Sequence, residues 1–187
     1  MESDTPMSDK RYKEKIEKLR SSERLKLLEV DRIVELCLQK DGIGSVLDVG
    51  TGSGVFAEAF LNRGLRVAGI DINPDMIAAV REFVPNAEFK EAAAESLPYL
   101  DRSFDLVFLG HVLHETDDPV QAIKEAARVA TTRVAVLEWP YKQEELGPPL
   151  DHRIPDEGMQ EIFEAADVSK YEKHALQHMC LWILDVR

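Results

Sequence analysis

The sequence predicts an α/β fold built on a doubly wound, mostly parallel sheet. Three observations carry this reading. Short apolar segments alternate with amphipathic helical ones from residue 45 onward, a glycine-rich turn joins the first such segment to the helix after it, and the last two apolar segments have no helix between them. Apolar runs without polar alternation are buried on both faces, as strands of a helix-covered parallel sheet must be. Right-handed crossovers then wind the chain to both sides of the starting strand.

Taken in order, Met1 to Asp9 is polar and acidic and reads as a disordered tail. From Lys10 the pattern turns helical, with Tyr12, Ile16 and Leu19 on one face and Ser21-Ser22 as a break. A second helix runs over roughly 30–39, and Asp41-Gly42-Ile43-Gly44 closes it with turn chemistry. Residues 10–44 thus form a helical cap ahead of the main domain, 45–187. Strands follow over 45–49, 65–70, 87–92, 104–109 and 133–138, with helices over 55–63, 74–83, 119–130 and 156–166. Residues 140–155, which contain Gly147-Pro148-Pro149, form a long loop. The segments 168–176 and 177–186 read as two strands paired antiparallel at one edge of the sheet.

Composition narrows the function. The 187 residues carry a formal net charge of -12, which opposes the counterion-releasing contact that nucleic acids require. One basic run exists, Lys10, Arg11, Lys13, Lys15, Lys18, Arg20, Arg24 and Lys26, but Glu14, Glu17, Glu23 and Glu29 interleave with it and the pattern reads as a solvated helix face. No apolar run approaches the roughly 18–20 residues that span a bilayer. The first residues have no signal-type apolar stretch, and Cys37 and Cys180 read as buried reduced thiols, so the expected location is cytoplasmic. No His, Cys and carboxylate group has metal-ligand spacing.

The chemistry concentrates after the first strand. Val46-Leu47-Asp48-Val49-Gly50-Thr51-Gly52-Ser53-Gly54 ends a strand and opens a helix, with glycines where the backbone must turn sharply and approach a ligand. Asp71 ends the next strand, roughly 20 residues on, where such sites place a ribose-binding carboxylate. A dinucleotide fingerprint needs its third glycine one position later, where this chain has Val55. Asp48 just before the turn is awkward for a pyrophosphate and suits the ammonium and sulfonium of S-adenosylmethionine (SAM). A Walker-type loop is excluded, because no Lys-Ser or Lys-Thr follows the glycines.

At this point the chain resembles the class I SAM-dependent methyltransferases. The 46–54 segment looks like their first motif, and Ala68-Gly69-Ile70-Asp71-Ile72-Asn73-Pro74-Asp75-Met76 like the second. Ala94-Glu95-Ser96-Leu97-Pro98 looks like the third, and Ser103-Phe104-Asp105-Leu106-Val107 with His111-Val112-Leu113-His114-Glu115 and Asp118-Pro119 like the fourth. The resemblance covers about residues 46–167 and is strongest to the ubiquinone/menaquinone C-methyltransferase-like subgroup. It implies a Rossmann-like seven-stranded sheet of order 3-2-1-4-5-7-6 with the last strand antiparallel, and SAM as cofactor. It also implies residue roles. Gly50, Gly52 and the Thr51 backbone would line the methionine end, and Asp48 would hold that end through the loop or through water. Asp71 would bind the ribose, Ile72 would pack on adenine, and Ala94 and Glu95 would sit at its edge. Gly110 and His111 would lie near the methionine moiety. One departure is clear: the family commonly has an Asp directly before the Ala of the third motif, and here that residue is Ala93. Either Glu95 or a backbone carbonyl takes its place, or adenine is held more loosely.

Methyl transfer from a sulfonium needs a positioned nucleophile, exclusion of water and, for some acceptors, a proton acceptor. The candidate proton acceptors are His111, His114, Glu115 and Glu138. His114 and Glu138 are the expected catalytic pair, since Glu138 ends the fifth strand at the ligand-binding edge. Trp139 would add an aromatic wall. His152 and Arg153 fall in the long loop, which is either a lid or a solvated connector. The additions to the core are small, so a small-molecule acceptor is expected, with no nucleic-acid partner and an oligomeric state left open. The other readings are a SAM-binding regulatory protein without catalysis and an NAD-dependent oxidoreductase.

Overall fold

The computed structural model describes residues 17–186. The expected tail over 1–9 and most of the first cap helix, including Tyr12 and Ile16, lie outside the described residues. The elements are α1 (Ser22–Leu27), α2 (Val30–Cys37), β1 (Ser45–Val49), α3 (Val55–Leu61), β2 (Arg66–Asp71), α4 (Pro74–Phe83), β3 (Glu88–Glu91), β4 (Phe104–Gly110), α5 (Pro119–Val129), β5 (Ala130–Glu138), α6 (Asp156–Ala165), β6 (Tyr171–Ala175) and β7 (Cys180–Asp185). Short 3-10 turns occupy Leu113–Glu115 and Leu150–His152.

One seven-stranded sheet runs β3-β2-β1-β4-β5-β7-β6. Strands β1 to β5 pair in parallel, and β7 lies antiparallel to both β5 and β6. This is the order the resemblance implied. β1 sits between β2 and β4, with Val49 opposite both Ile70 and Leu109. Its carboxyl end is where the winding reverses, the place at which open α/β sheets bind ligands.

Alternation along each strand sorts the core into two layers. Val46, Leu106, Phe108, Ala135 and Leu137 face the side covered by α2, α3 and α4. Leu47, Val49, Val107, Leu109, Val134 and Val136 face the side covered by α5 and α6. Local signals start the helices. Asn73 accepts from the backbone N–H of Asp75 at 2.9 Å and Asp118 from that of Gln121 at 2.9 Å, each followed by proline at the first helical position.

Two details differ from the sequence reading. Ser21 is not merely a break: its side chain accepts from Arg24 N–H and caps the additional helix α1. Nor is the basic run wholly a solvated face. Arg20 donates to Ser53 O at 2.8 Å and pairs with Glu58, and its side chain is only 17% exposed, so it ties the cap to the glycine loop. Short-range periodicity cannot show either contact, because both partners lie more than thirty residues away. Among the described residues no helix is long and apolar enough to cross a membrane, and no cluster of three or more His, Cys, Asp or Glu could hold a metal ion.

Candidate functional site

The carboxyl ends of β1 to β4 open into one cleft of about 670 Å³, within the range of roughly 300–1,000 Å³ usual for small-molecule sites. Each strand contributes through the loop after it. Gly50 and Gly52 follow β1, Asp71 and Ile72 close β2, Ala94 and Glu95 follow β3, and His111 and Val112 follow β4. Leu19 from the cap also reaches the wall.

The loop after β1 is held open by its own hydrogen bonds. Gly50 has φ +67, and a Cβ there would lie 1.9 Å from Val112 Cγ2, so only glycine lets the β1 and β4 loops meet. Thr51 N donates to Ile70 O at 2.8 Å. The Asp71 carboxylate accepts from Gly52 N at 3.0 Å through one oxygen and from Asn73 N at 2.9 Å through the other. Asp71 therefore shapes the loop and lines the cleft at once. Asp48 is 2% exposed and off the cleft wall, and its Oδ2 accepts from the Thr51 hydroxyl at 2.8 Å. Burial pushes its carboxyl up to about 7, against hydrogen bonds from Thr51 and the Ala57 backbone, with the Asp71 charge adding to the rise. Thr51 is likewise buried, with its side chain turned to Asp48. Any influence of Asp48 on a ligand passes through the loop.

At the β2–β3 end, Ile72 is 72% exposed beside the cleft, free to cover a flat ring. Ala93 and Ala94 form a small-residue floor. Glu95 Oε1 accepts from Asp117 N at 3.0 Å and, more weakly, from Asp118 N at 3.4 Å. One carboxylate oxygen is thus tied to the turn that follows β4, while the residue lines the cleft beside Ala93.

The β4–β5 end brings the expected catalytic pair together. His114 Nδ1 lies 2.7 Å from Glu138 Oε2, and the other Glu138 oxygen accepts from His114 N at 3.3 Å. Their side chains are 8% and 6% exposed, and neither lines the cleft. Burial pulls the imidazole pKa of His114 down, but the Glu138 hydrogen bond and charge outweigh it and the net shift is upward. The two groups satisfy each other. The pair ties the turn after β4 to the end of β5. Gly110 is also off the wall; a Cβ there would meet the Phe108 ring at 2.7 Å.

His111, expected near the methionine moiety, directly follows Gly110 at the end of β4. It lines the cleft with φ +60, a conformation costing about 1–3 kcal/mol for a non-glycine residue. Its backbone N donates to Leu137 O at 2.8 Å. Its ring lies 5.2 Å from the Trp139 ring. Both ring nitrogens are buried without a hydrogen-bond partner. Burial pushes its pKa down to about 4, opposed by Glu138 and aided by Arg24 and His114.

Trp139 is backed by the long loop. Arg153, 5% exposed, donates to the carbonyls of Pro148 at 2.9 Å, Pro140 at 3.1 Å, Lys142 at 2.7 Å and Leu146 at 2.5 Å. Its guanidinium also lies 5.6 Å from the Trp139 ring centre. One buried cation thus folds residues 140–153 into a wall. Sequence reasoning named Arg153 only as a loop residue, since four hydrogen bonds to loop carbonyls leave no mark in local pattern.

This sheet, with its cleft at the carboxyl edge, is a doubly wound α/β fold. Comparison with known proteins shows what it is similar to. Residues 47–135 match the family model described as a methyltransferase domain. A demethylmenaquinone methyltransferase of Chlorobaculum parvum is 40% identical over 85 residues, 45% of this chain and 35% of that protein. An uncharacterized methyltransferase of Bacillus subtilis, YcgJ, is 36% identical over 89 residues, with the same coverage. The chain thus aligns with about a third of the length of these curated relatives. A SAM-dependent methyltransferase from Aquifex aeolicus superposes with a TM-score of 0.82 at 24% identity, over 94% of this chain and 98% of that one, a likeness of fold. Residues 47–135 are thus similar to methyltransferase domains, and the whole chain shares their fold.

Proposed function

We propose that this protein transfers a methyl group from SAM to a small-molecule acceptor. The observation that carries the reading is the single cleft running along the carboxyl edge from Ala94 after β3 to His111 after β4. A cofactor spread over β3, β2 and β1 leaves the β4 end for an acceptor. The residues fit SAM. Gly50 and Gly52 give close backbone approach at the methionine end. Asp71 keeps lone pairs for ribose hydroxyls beyond the two N–H groups it already accepts. Ile72 and Ala94 offer apolar cover for adenine, with Glu95 bracing the adjoining turn. When bound, the cofactor supplies a methyl group on a sulfonium, already activated for displacement. The chain's own residues orient the two partners and exclude water.

Residues 45–187 are read as the methyltransferase domain and 10–44 as a cap over the cleft, whose wall includes Leu19, packed on Met76 and Ala79 of α4. The net charge of -12 favours a small acceptor over nucleic acid. The free, buried Cys37 and Cys180 favour the reducing cytoplasm.

Calorimetry with SAM, S-adenosylhomocysteine and NAD, followed by transfer from methyl-labelled SAM to a small-metabolite fraction, tests this. Micromolar or tighter binding of the first two, none of NAD, and label in a small molecule are expected. NAD binding without SAM binding overturns the cofactor, and SAM binding without transfer favours the regulatory alternative.

A further inference from the structure

The glycine loop after β1 is held from several sides, and one hold comes from the cap. On the cleft side Gly52 N donates to Asp71 at 3.0 Å. Within the loop Gly54 N donates to Thr51 O at 2.8 Å and turns the chain between them. On the far side Arg20 Nη1 donates to Ser53 O at 2.8 Å. The guanidinium sits in a corner built by three elements. Glu58 of α3 pairs with Nη2, the Phe83 ring centre of α4 lies 5.5 Å away, and a Cβ on Gly54 would stand 3.9 Å from Nη1. Hydrogen bonds from a charged donor are the stronger kind, and this one fixes the peptide that closes the turn behind Gly52.

The residue before Arg20 serves the cleft instead. Leu19 lines its wall and packs on Met76 and Ala79 of α4. The Met76 methyl in turn lies 4.0 Å from where a Gly52 Cβ would stand. Leu19 thus covers the part of the cleft between Gly52 and the start of α4, which in the reading above holds the adenosine. The segment around it has little else to keep it down. α1 buries no residue, and among the described residues the chain is first buried at Leu28. Segments with few buried contacts open locally, at a free energy far below that of global unfolding.

We propose that Arg20 is a positioning residue for the cofactor: its hold on Ser53 O and Glu58 couples docking of the cap, with Leu19 over the adenosine, to the shape of the glycine loop. This rests on the SAM reading and adds the group that retains the cofactor. A ligand in the cleft meets Leu19 and the loop together, so its binding favours the docked cap. By linkage the docked cap favours the bound ligand by the same factor. The coupling acts on release more than on entry, because the contacts with Leu19 form only once the ligand is in place. Its seat beside β1 and β2 puts the effect on retention of the cofactor, away from the β4–β5 end.

The test uses the full chain and labelled S-adenosylhomocysteine, its release followed by chase with the unlabelled compound. Arg20→Ala should speed release about tenfold with the urea midpoint unchanged, since α1 buries no residue. Arg20→Lys should recover part of the loss, because a point cation can serve Ser53 O or Glu58 but not both. Leu19→Ala should also speed release, and the double variant should be little worse than the more impaired single one, as expected when one residue acts through the other. Hydrogen exchange over residues 17–28 should slow when S-adenosylhomocysteine binds the wild-type chain and should not slow in Arg20→Ala. An unchanged release rate in Arg20→Ala, losses that add in the double variant, or cap exchange indifferent to the ligand overturns the proposal and leaves the cofactor reading standing. A urea midpoint that falls in step with affinity would reduce Arg20 to a structural tie and overturns it as well. A wild-type chain that binds no S-adenosylhomocysteine sinks the cofactor reading, and the proposal with it.

Discussion

The two ends of the cleft are finished to different degrees. At the β1–β3 end every carboxylate has a backbone or hydroxyl partner within the fold: Asp48 with Thr51, Asp71 with Gly52 and Asn73, Glu95 with Asp117. At the β4–β5 end His114 and Glu138 are equally complete, yet His111 beside them is not. The contrast separates two uses of polar groups. Those with internal partners hold loops in shape so that a constant ligand meets a preorganised surface. His111 lines the cleft with neither ring nitrogen so paired.

Variants at both ends can break or sharpen this contrast. The largest effect should come from Glu138→Ala. It strands His114 in a site where both side chains are nearly buried, and breaking such a pair costs about 3–5 kcal/mol. His114 has a raised folded pKa, so the charged pair's contribution is complete below its unfolded value, about 6.5, and is lost as pH rises through the folded value. Urea unfolding should therefore show a larger penalty at pH 6 than at pH 9. An equal penalty at both pH values would mean that the charge on His114 contributes nothing.

Asp48→Asn should act oppositely and at the cofactor end. Its carboxyl is raised from 3.8 to about 7 by burial, so the native state binds the extra proton between those values and stability falls as pH rises through that window. Replacing it should stabilise the fold by up to about 4 kcal/mol at pH 8, using about 1.4 kcal/mol per pKa unit, with the gain gone near pH 4. The same group should link SAM binding to pH. A cationic ligand favours ionised Asp48, so wild-type affinity should rise with pH up to about 7 and become flat in Asp48→Asn. Denaturation curves and calorimetry at the two pH values read both effects. A destabilised Asp48→Asn at pH 8 would show that the carboxylate is held charged.

Arg153→Lys should cost about 2 kcal/mol, because a point cation cannot reach four carbonyls and hydrogen bonds to a charged group contribute about 1.5–3 kcal/mol. Faster hydrogen exchange confined to residues 140–153, with S-adenosylhomocysteine affinity intact, would place its effect at the acceptor end. Exchange spreading to the loop after β1 would contradict that division. Asp71→Ala should give the smallest change in free energy, at least about tenfold in SAM affinity, or about 1.4 kcal/mol. Part of that loss would come from the freed Gly52 and Asn73 N–H groups. An unchanged Kd would remove Asp71 from the cofactor site.

Much of this was legible in the sequence. Apolar periodicity, the Asn73-Pro74 and Asp118-Pro119 helix starts and the glycines at 50, 52 and 54 are local signals, and local signals determine where strands end and loops turn. That is why the loops bearing Gly50, Asp71, Ala94 and His111 were foreseeable, while the strand order followed from the resemblance to a known family. What only the tertiary structure decided is which side chain on those loops meets the cleft. His114 and Glu138 were named together as the expected catalytic pair, and the fold brings them, 24 residues apart, to 2.7 Å. The left-handed turn at residue 111 sends the other imidazole to the wall, Asp48 turns to Thr51, and Glu95 turns to a distant backbone. A side chain settles with the partner that lowers its free energy most once the sheet has brought distant residues together, and periodicity along the chain carries no information about those partners.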